Sequence, residues 1–212
     1  MPLFYQQDIN DTTRLAIWKI EEAESFFSST VPIQREITHP HKRLQHYAGR
    51  YLLRYLFPDF PYEEILIADT KKPYLPYEQY HFSISHCGDY AAAIVSSNKR
   101  VGIDIEIPKD RILNIRHKFL HPEELNSLLS QTTYTYSQVL TILWCAKEAM
   151  YKWWGWGLVD FKEMLRIGEF NLQAEGVMST RFIKDSIQIP LPLHYKQFEK
   201  LCLAWVMNEN TL

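Results

Sequence analysis

Along Arg100-Val101-Gly102-Ile103-Asp104-Ile105-Glu106-Ile107, the residues Val101, Ile103, Ile105 and Ile107 alternate with Gly102, Asp104 and Glu106. That two-residue period predicts a half-buried strand. A different period runs from Lys42, where Leu44, Tyr47, Ala48, Tyr51, Leu52 and Tyr55 recur at helical spacing. It predicts an amphipathic helix of about four turns, stopped at Phe57-Pro58. The longest helical pattern follows Tyr134–Tyr136 and reaches Trp154, with Val139, Ile142, Leu143, Ala146, Ala149, Met150 and Trp153 as its buried stripe. Trp144, Lys147, Glu148, Tyr151 and Lys152 fall on another face, and Gly155-Trp156-Gly157 ends the run. Shorter helices are predicted at Ile112–Phe119 and from His121-Pro122, where Glu123 and Glu124 in the first turn suit the helix dipole. Asp11 or Thr12 reads as the cap of a helix reaching Phe27, with Leu15, Trp18 and Phe26 among its apolar residues.

Strands are predicted at Leu3–Tyr5 and Ile65–Ala68, with Lys71–Tyr74 as a loop. His81–Ser85 and Tyr90–Ser96 form a predicted hairpin broken at Gly88-Asp89. Further strands are expected at Leu165–Ile167, Arg181–Ile183, Ile187–Ile189 and Leu201–Met207. Each half thus reads as helices followed by paired strands. The expected fold is α+β, with two similar α/β lobes in one chain, residues 1–105 and 106–212.

Composition narrows the picture. In 212 residues, 46% are hydrophobic, which is enough for real cores and argues against disorder. The net charge of −2 disfavours a protein built to bind bulk nucleic acid. Basic charge is nevertheless concentrated: Lys42, Arg43, Arg50 and Arg54 lie among His39, His41 and His46 with no acid between them. Arg43 and Arg50 share a helix face, which would suit an anion or an acidic partner, or stand as a solvated face. Cys87, Cys145 and Cys202 are odd in number and widely spaced, suggesting neither a disulfide framework nor a zinc site. No signal peptide or bilayer-length apolar stretch is read, so a reducing, cytoplasmic setting without membrane association is expected.

Asp104 and Glu106 would stand roughly 6.5–7 Å apart on one strand face. Carboxylates that close repel unless a cation intervenes, and oxygen ligands suit Mg²⁺; an edge strand with a solvated acidic face is the alternative. Ser85-His86 sits at a strand end, where polar groups commonly serve a site. Glu148 and Lys152, at i and i+4, could be an ordinary surface pair. More specific is the combination of Gly102-Ile103-Asp104-x-Glu106 with Trp144-Cys145-x-Lys147-Glu148-x-x-x-Lys152. This two-part pattern resembles the signature of the 4′-phosphopantetheinyl transferases. The resemblance extends over roughly residues 35–160: Lys72-Pro73-Tyr74 is similar to that family's Lys-Pro loop, and Phe82-Ser83-Ile84-Ser85-His86 to its Ser-His strand end. Chain length is similar to the monomeric, surfactin-synthetase-activating type, a pseudo-twofold fold with its active site between the lobes.

The resemblance implies transfer of the 4′-phosphopantetheine arm of coenzyme A to a serine of an acyl or peptidyl carrier protein, releasing adenosine 3′,5′-bisphosphate. It implies Mg²⁺ held by Asp104, Glu106 and Glu148, with Lys152 adding positive charge at the phosphates. Lys72, Ser85 and His86 would hold the nucleotide end. Glu148 would take the serine proton, with Glu124 as a weaker candidate, and Lys147 would be structural or phosphate-facing. The expected partners are coenzyme A and an acyl or peptidyl carrier protein, with no nucleic acid and no membrane, and the protein itself is expected to be a monomer. Two positions depart from the family pattern. Gln45 stands where an arginine commonly meets the 3′-phosphate, leaving Arg43 and Arg50 as substitutes, and Trp156 stands where a lysine often lies between glycines. Trp153, Trp154 and Trp156 form either a docking surface or core. A non-catalytic carrier-binding relative is an alternative, as is a metal-dependent nuclease, which the near-neutral charge disfavours.

Overall fold

The computed structural model describes residues 2–32, 36–129 and 133–208. Residues 209–212, included from sequence in the second lobe, lie outside the described residues. The chain divides into two compact units that meet in sequence at Val101 and Gly102. Among the described residues no helix is long and apolar enough to cross a membrane.

In the first unit, β1 (Leu3–Asn10), β2 (Thr13–Lys19), α1 (Glu24–Ser28) and α2 (Pro40–Leu56) are followed by β3 (Leu66–Ile67), β4 (Pro73–Tyr74), β5 (His81–Cys87) and β6 (Tyr90–Ser96). Antiparallel pairing gives a sheet of order β1-β2-β6-β5. The helix expected from Asp11 or Thr12 to Phe27 is not formed. Thr12 N–H donates instead to the Asn10 side chain at 2.9 Å, an Asx turn that folds β2 back on β1. β2 is paired along both edges, and both faces of Leu15-Ala16-Ile17-Trp18 are buried. An apolar run of that kind has no period to distinguish strand from helix. Only the short α1 remains helical. The expected loop at Lys71–Tyr74 is likewise part strand, since Pro73 and Tyr74 pair with Ile67 and Leu66.

The helix read from Lys42 forms, one turn-fraction earlier, as α2. Pro40 occupies its first turn and the His39 ring accepts from Lys42 N–H. Its Tyr47, Ala48, Leu52, Leu53 and Leu56 pack with Phe82, Ala91, Ala93 and Val95 of the sheet. A Cβ at Gly49 would sit 2.5 Å from Ile84 Cγ2, so the glycine lets helix and strand close up.

The second unit holds most of β7 (Arg100–Glu106), then α3 (Ile112–Phe119), α4 (Pro122–Leu129), α5 (Tyr136–Trp154), β8 (Leu165–Ile167), β9 (Glu175–Lys184), β10 (Ile187–Gln197) and β11 (Cys202–Asn208). Its sheet has the order β7-β11-β10-β9-β8. β9 and β10 are much longer than expected, because Pro190 and Pro192 do not stop β10. Both lie where β10 pairs with β9, at Arg181 and Ser179, before its pairing with β11 begins at Leu193. Their missing N–H groups therefore interrupt no ladder on that side. They occupy exposed positions between buried Ile189, Leu191 and Leu193.

α5 carries the core of this unit. A capping box joins Thr135 and Gln138 at its start, and Gly155, at φ 72°, closes it in the left-handed conformation. All seven residues of the expected stripe are buried, Trp153 at 1% exposure. α5 also comes against β7 at one place where a side chain has no room. A Cβ at Gly102 would lie 2.0 Å from Ala149 O and 2.6 Å from Trp153 N. Both neighbours are helix backbone and cannot swing aside. Gly102→Ala is expected to destabilise the protein by about 3 kcal/mol or more, at the upper end of overpacking costs, in urea denaturation. A change below about 0.5 kcal/mol would show that the helix is not held there.

Candidate functional site

Asp104 lies in the middle of β7 and is 4% exposed, and Glu106 ends the strand half-buried. Glu148 and Lys152 are one turn apart on α5. Because Gly102 admits the helix, Lys152 reaches across to Asp104, its Nζ donating to Oδ1 at 2.7 Å. Glu148 is pushed up to about 7, first by burial and then by the negative charge of Asp104 and Glu106, with Lys152 opposing. Lys152 thus meets Asp104 directly, and its charge also acts on Glu148. Among the described residues no three His, Cys, Asp or Glu side chains are already gathered as a metal cage; Lys152 supplies the counter-charge at Asp104.

Cys145 lies beside this group, fully buried, its thiol directed to the Cys202 carbonyl at 3.8 Å. Burial, and then the charge of Asp104, raise the thiol well above its ordinary range, so it stays protonated and is no nucleophile.

Lys147 does not share an open face with Glu148, as helical spacing had it. It is 0% exposed, and Nζ donates to Glu124 Oε2 at 2.7 Å, Phe119 O at 2.7 Å and Phe161 O at 3.0 Å. Glu124, 2% exposed, is equally occupied: Oε2 also accepts from His121 N–H and Oε1 from Ile167 N–H, each at 2.8 Å. The pair ties α5 to the ends of α3 and α4 and to β8. Glu124 thus accepts three hydrogen bonds within the fold, all from groups of this unit.

One group of residues had no signal in the periodicity. A cavity of about 480 Å³ is lined by Glu106, Ile107, Lys109, Arg111, Ile112, Asn114, Ile115, Thr141 and Trp144. Its walls are largely apolar, its Lys109 and Arg111 side exposed and basic, and it opens beside the carboxylate of Glu106. Only Glu106 and Trp144 belong to the motif that pointed here. The three tryptophans divide: Trp153 and Trp154 are core, while Trp156 is 64% exposed on the Gly155–Gly157 turn.

In the first unit, Ser85 is buried and His86 exposed at the end of β5. By the strand period, His86 follows Phe82 and Ile84 on the face that α2 covers. Lys72 is lowered to about 8 by burial and then by the charge of Arg100. The basic residues of α2 are less available than their number suggests. Arg43 Nε donates to both oxygens of Glu24 at 2.9 Å and Nη1 to Ile37 O at 2.9 Å. Arg54 meets Glu63 and Phe60 O and stacks on Tyr62. Arg50 is 9% exposed, with Nη1 3.5 Å from the His46 ring. Gln45, 7% exposed, donates to Gly88 O at 2.8 Å.

Removing one partner of a buried ion pair leaves the other charge stranded. Lys147→Met is therefore expected to destabilise the protein by about 3–5 kcal/mol in urea denaturation, with Lys147→Met/Glu124→Gln recovering part of that loss. A cost under about 1 kcal/mol for the single variant would refute the assigned role.

The model of the 4′-phosphopantetheinyl transferase superfamily matches residues 100–206. A 4′-phosphopantetheinyl transferase of Bacillus subtilis is 39% identical over 98 residues, 43% of this chain and 41% of that protein. The 4′-phosphopantetheinyl transferase psf-1 of Bacillus pumilus is 32% identical over 116 residues, 52% of this chain and 49% of that protein. Enterobactin synthase component D of Escherichia coli (strain K12) is 32% identical over 114 residues, 52% of this chain and 54% of that protein. The chain thus spans about half the length of the curated relatives it matches. With the superfamily model running from β7 through α5 to β11, over the strand and helix that carry Asp104, Glu106, Glu148 and Lys152, this chain belongs to the 4′-phosphopantetheinyl transferase superfamily.

Proposed function

We propose that the protein transfers the 4′-phosphopantetheine arm of coenzyme A to a serine of an acyl or peptidyl carrier protein. The observation that carries this reading is the group of Asp104, Glu106 and Glu148 with Lys152, built by β7 and α5 within the matched region. In the reaction the serine Oγ forms a bond to the β-phosphorus of coenzyme A. The bond from that phosphorus to the bridging oxygen breaks, and adenosine 3′,5′-bisphosphate leaves with the electron pair.

The donor set fits a hard divalent cation such as Mg²⁺: all three acids offer oxygen, and Glu148 keeps its proton up to about pH 7 because it is buried and its neighbours are already negative. Asp104, Glu106 and Glu148 would hold it. Bound there, it would offset the pyrophosphate charge and stabilise the leaving group. Lys152 contributes a further positive charge to the phosphates. Glu148, in its ionised form, is the group assigned to take the serine proton. The cavity beside Glu106 has the apolar lining and size for a flexible thiol-ended arm. Beside it, exposed Lys109, Arg111, Arg116 and Lys118 suit an acidic partner helix. In the first unit Ser85, His86 and Lys72 are the groups assigned to the nucleotide end, and a bound phosphate would raise the Lys72 ammonium back from about 8 toward its ordinary range.

The direct test is the intact mass of an apo carrier protein after incubation with this protein, coenzyme A and Mg²⁺. The expected result is a gain of one phosphopantetheine arm that a chelator prevents and that Asp104→Ala or Glu148→Ala reduces at least about a hundredfold. No gain with several unrelated carriers, or full activity in either variant, would overturn the reading.

The acid group also predicts a pH dependence. The folded chain holds the Glu148 proton to about pH 7, whereas an ordinary glutamate loses it near 4.5. Metal-free protein should therefore lose stability as the pH rises between those values, because the folded state there binds more protons than the unfolded one. Mg²⁺ should restore it above neutrality, and its binding below about pH 7 should release a proton, read by calorimetry in buffers of differing ionisation enthalpy. Absence of proton release at pH 6 would exclude Glu148 as a ligand.

A further inference from the structure

The residue that departs from the family's arginine pattern on α2 has a definite place. β5 and β6 are joined through Gly88-Asp89, with Cys87 paired to Tyr90 and Gly88 at φ 54°. His86 stands two positions before Gly88. Three contacts fix this turn. Gln45 Nε2 donates to Gly88 O at 2.8 Å, the His41 ring lies 3.0 Å from Asp89 Oδ1, and Ile20 N–H donates to Asp89 O at 2.7 Å. His41 and Gln45 are i and i+4, so one edge of α2 grips both residues of the turn. Gln45 is 7% exposed, so its side-chain amide finds its partner within the fold, at Gly88 O.

We propose that Gln45, with His41, is a positioning residue that clamps the Gly88-Asp89 turn and so sets His86 for an anionic nucleotide phosphate. This rests on the assignment of His86 to the nucleotide end of coenzyme A. An arginine here could meet a phosphate with its own charge. A glutamine whose amide is committed to Gly88 O acts instead through the turn. The two clamps act on one element, so their effects should not add.

The probe is adenosine 3′,5′-bisphosphate titrated calorimetrically into wild type, Gln45→Met, His41→Ala and the double variant, with hydrogen exchange followed at the Cys87–Tyr90 amides. Gln45→Met is expected to weaken binding about three- to tenfold, the scale of one lost hydrogen bond, and to speed exchange in the turn while α5 stays protected. The double variant should lose less than the product of the single effects. Should Gln45→Met fail to fold, Gln45→Glu keeps the shape while replacing the donor, and His41→Ala, at a half-buried residue, gives an independent reading of the clamp. Wild type that binds, with Gln45→Met and His41→Ala binding equally well, would overturn the proposal alone. Wild type that does not bind the bisphosphate would overturn the coenzyme assignment, and the proposal with it.

Discussion

The absence of a side chain at Gly102 is the constraint on which the second unit turns. The backbone of Ala149 and Trp153 lies where a Cβ would be, so α5 can rest directly on β7. That approach has an electrostatic consequence. Asp104, buried in the strand, receives Lys152 from the helix, and Glu148, one turn earlier, comes under the field of both strand carboxylates. A shallower approach would leave the acids hydrated and ordinary. The close one leaves a carboxyl that titrates near neutrality, which is a condition that suits either a cation site or a proton acceptor.

Neighbouring residues on α5 show two ways of treating charge. Lys147 and Glu124 are more deeply buried than Glu148, yet their pairing is complete: three acceptors for the ammonium and three donors for the carboxylate. Such a pair fixes the helix against its surroundings. Glu148, about 100° further round the helix, is left with more negative than positive charge around it. One pair is closed. The other group keeps a carboxyl that burial first, and then the charge of Asp104, raise toward neutrality.

The first unit uses its basic helix differently from what its composition suggests. Arg43 and Arg54 are spent on Glu24 and Glu63, carboxylates from segments outside the helix, so a run with no acid in sequence is still neutralised in space. What α2 offers the Ser85-His86 end is mainly shape: Gly49 lets it close on Ile84, and Gln45 and His41 hold the turn beyond His86.

The hydrophobic pattern determined α2, α3, α5, the β5–β6 hairpin and β7: helical spacing marked the helices, alternation marked β5 and β7 and an apolar run marked β6, although β6 and β7 are buried on both faces. The paired motif identified the family, because its acids and lysine must keep fixed spacing on a strand and a helix to meet. Tertiary structure decided what local pattern could not. β2 is a strand because it lies between two others, with both faces covered and no period left to read. β10 runs through Pro190 and Pro192 because pairing on one side leaves room for a missing donor. Lys147 belongs to the interior and Glu148 to the site because Glu124, more than twenty positions earlier, folds back onto one and not the other. Spacing sets which side chains share a helix face; only the packing of distant segments against that face sets which of them find partners.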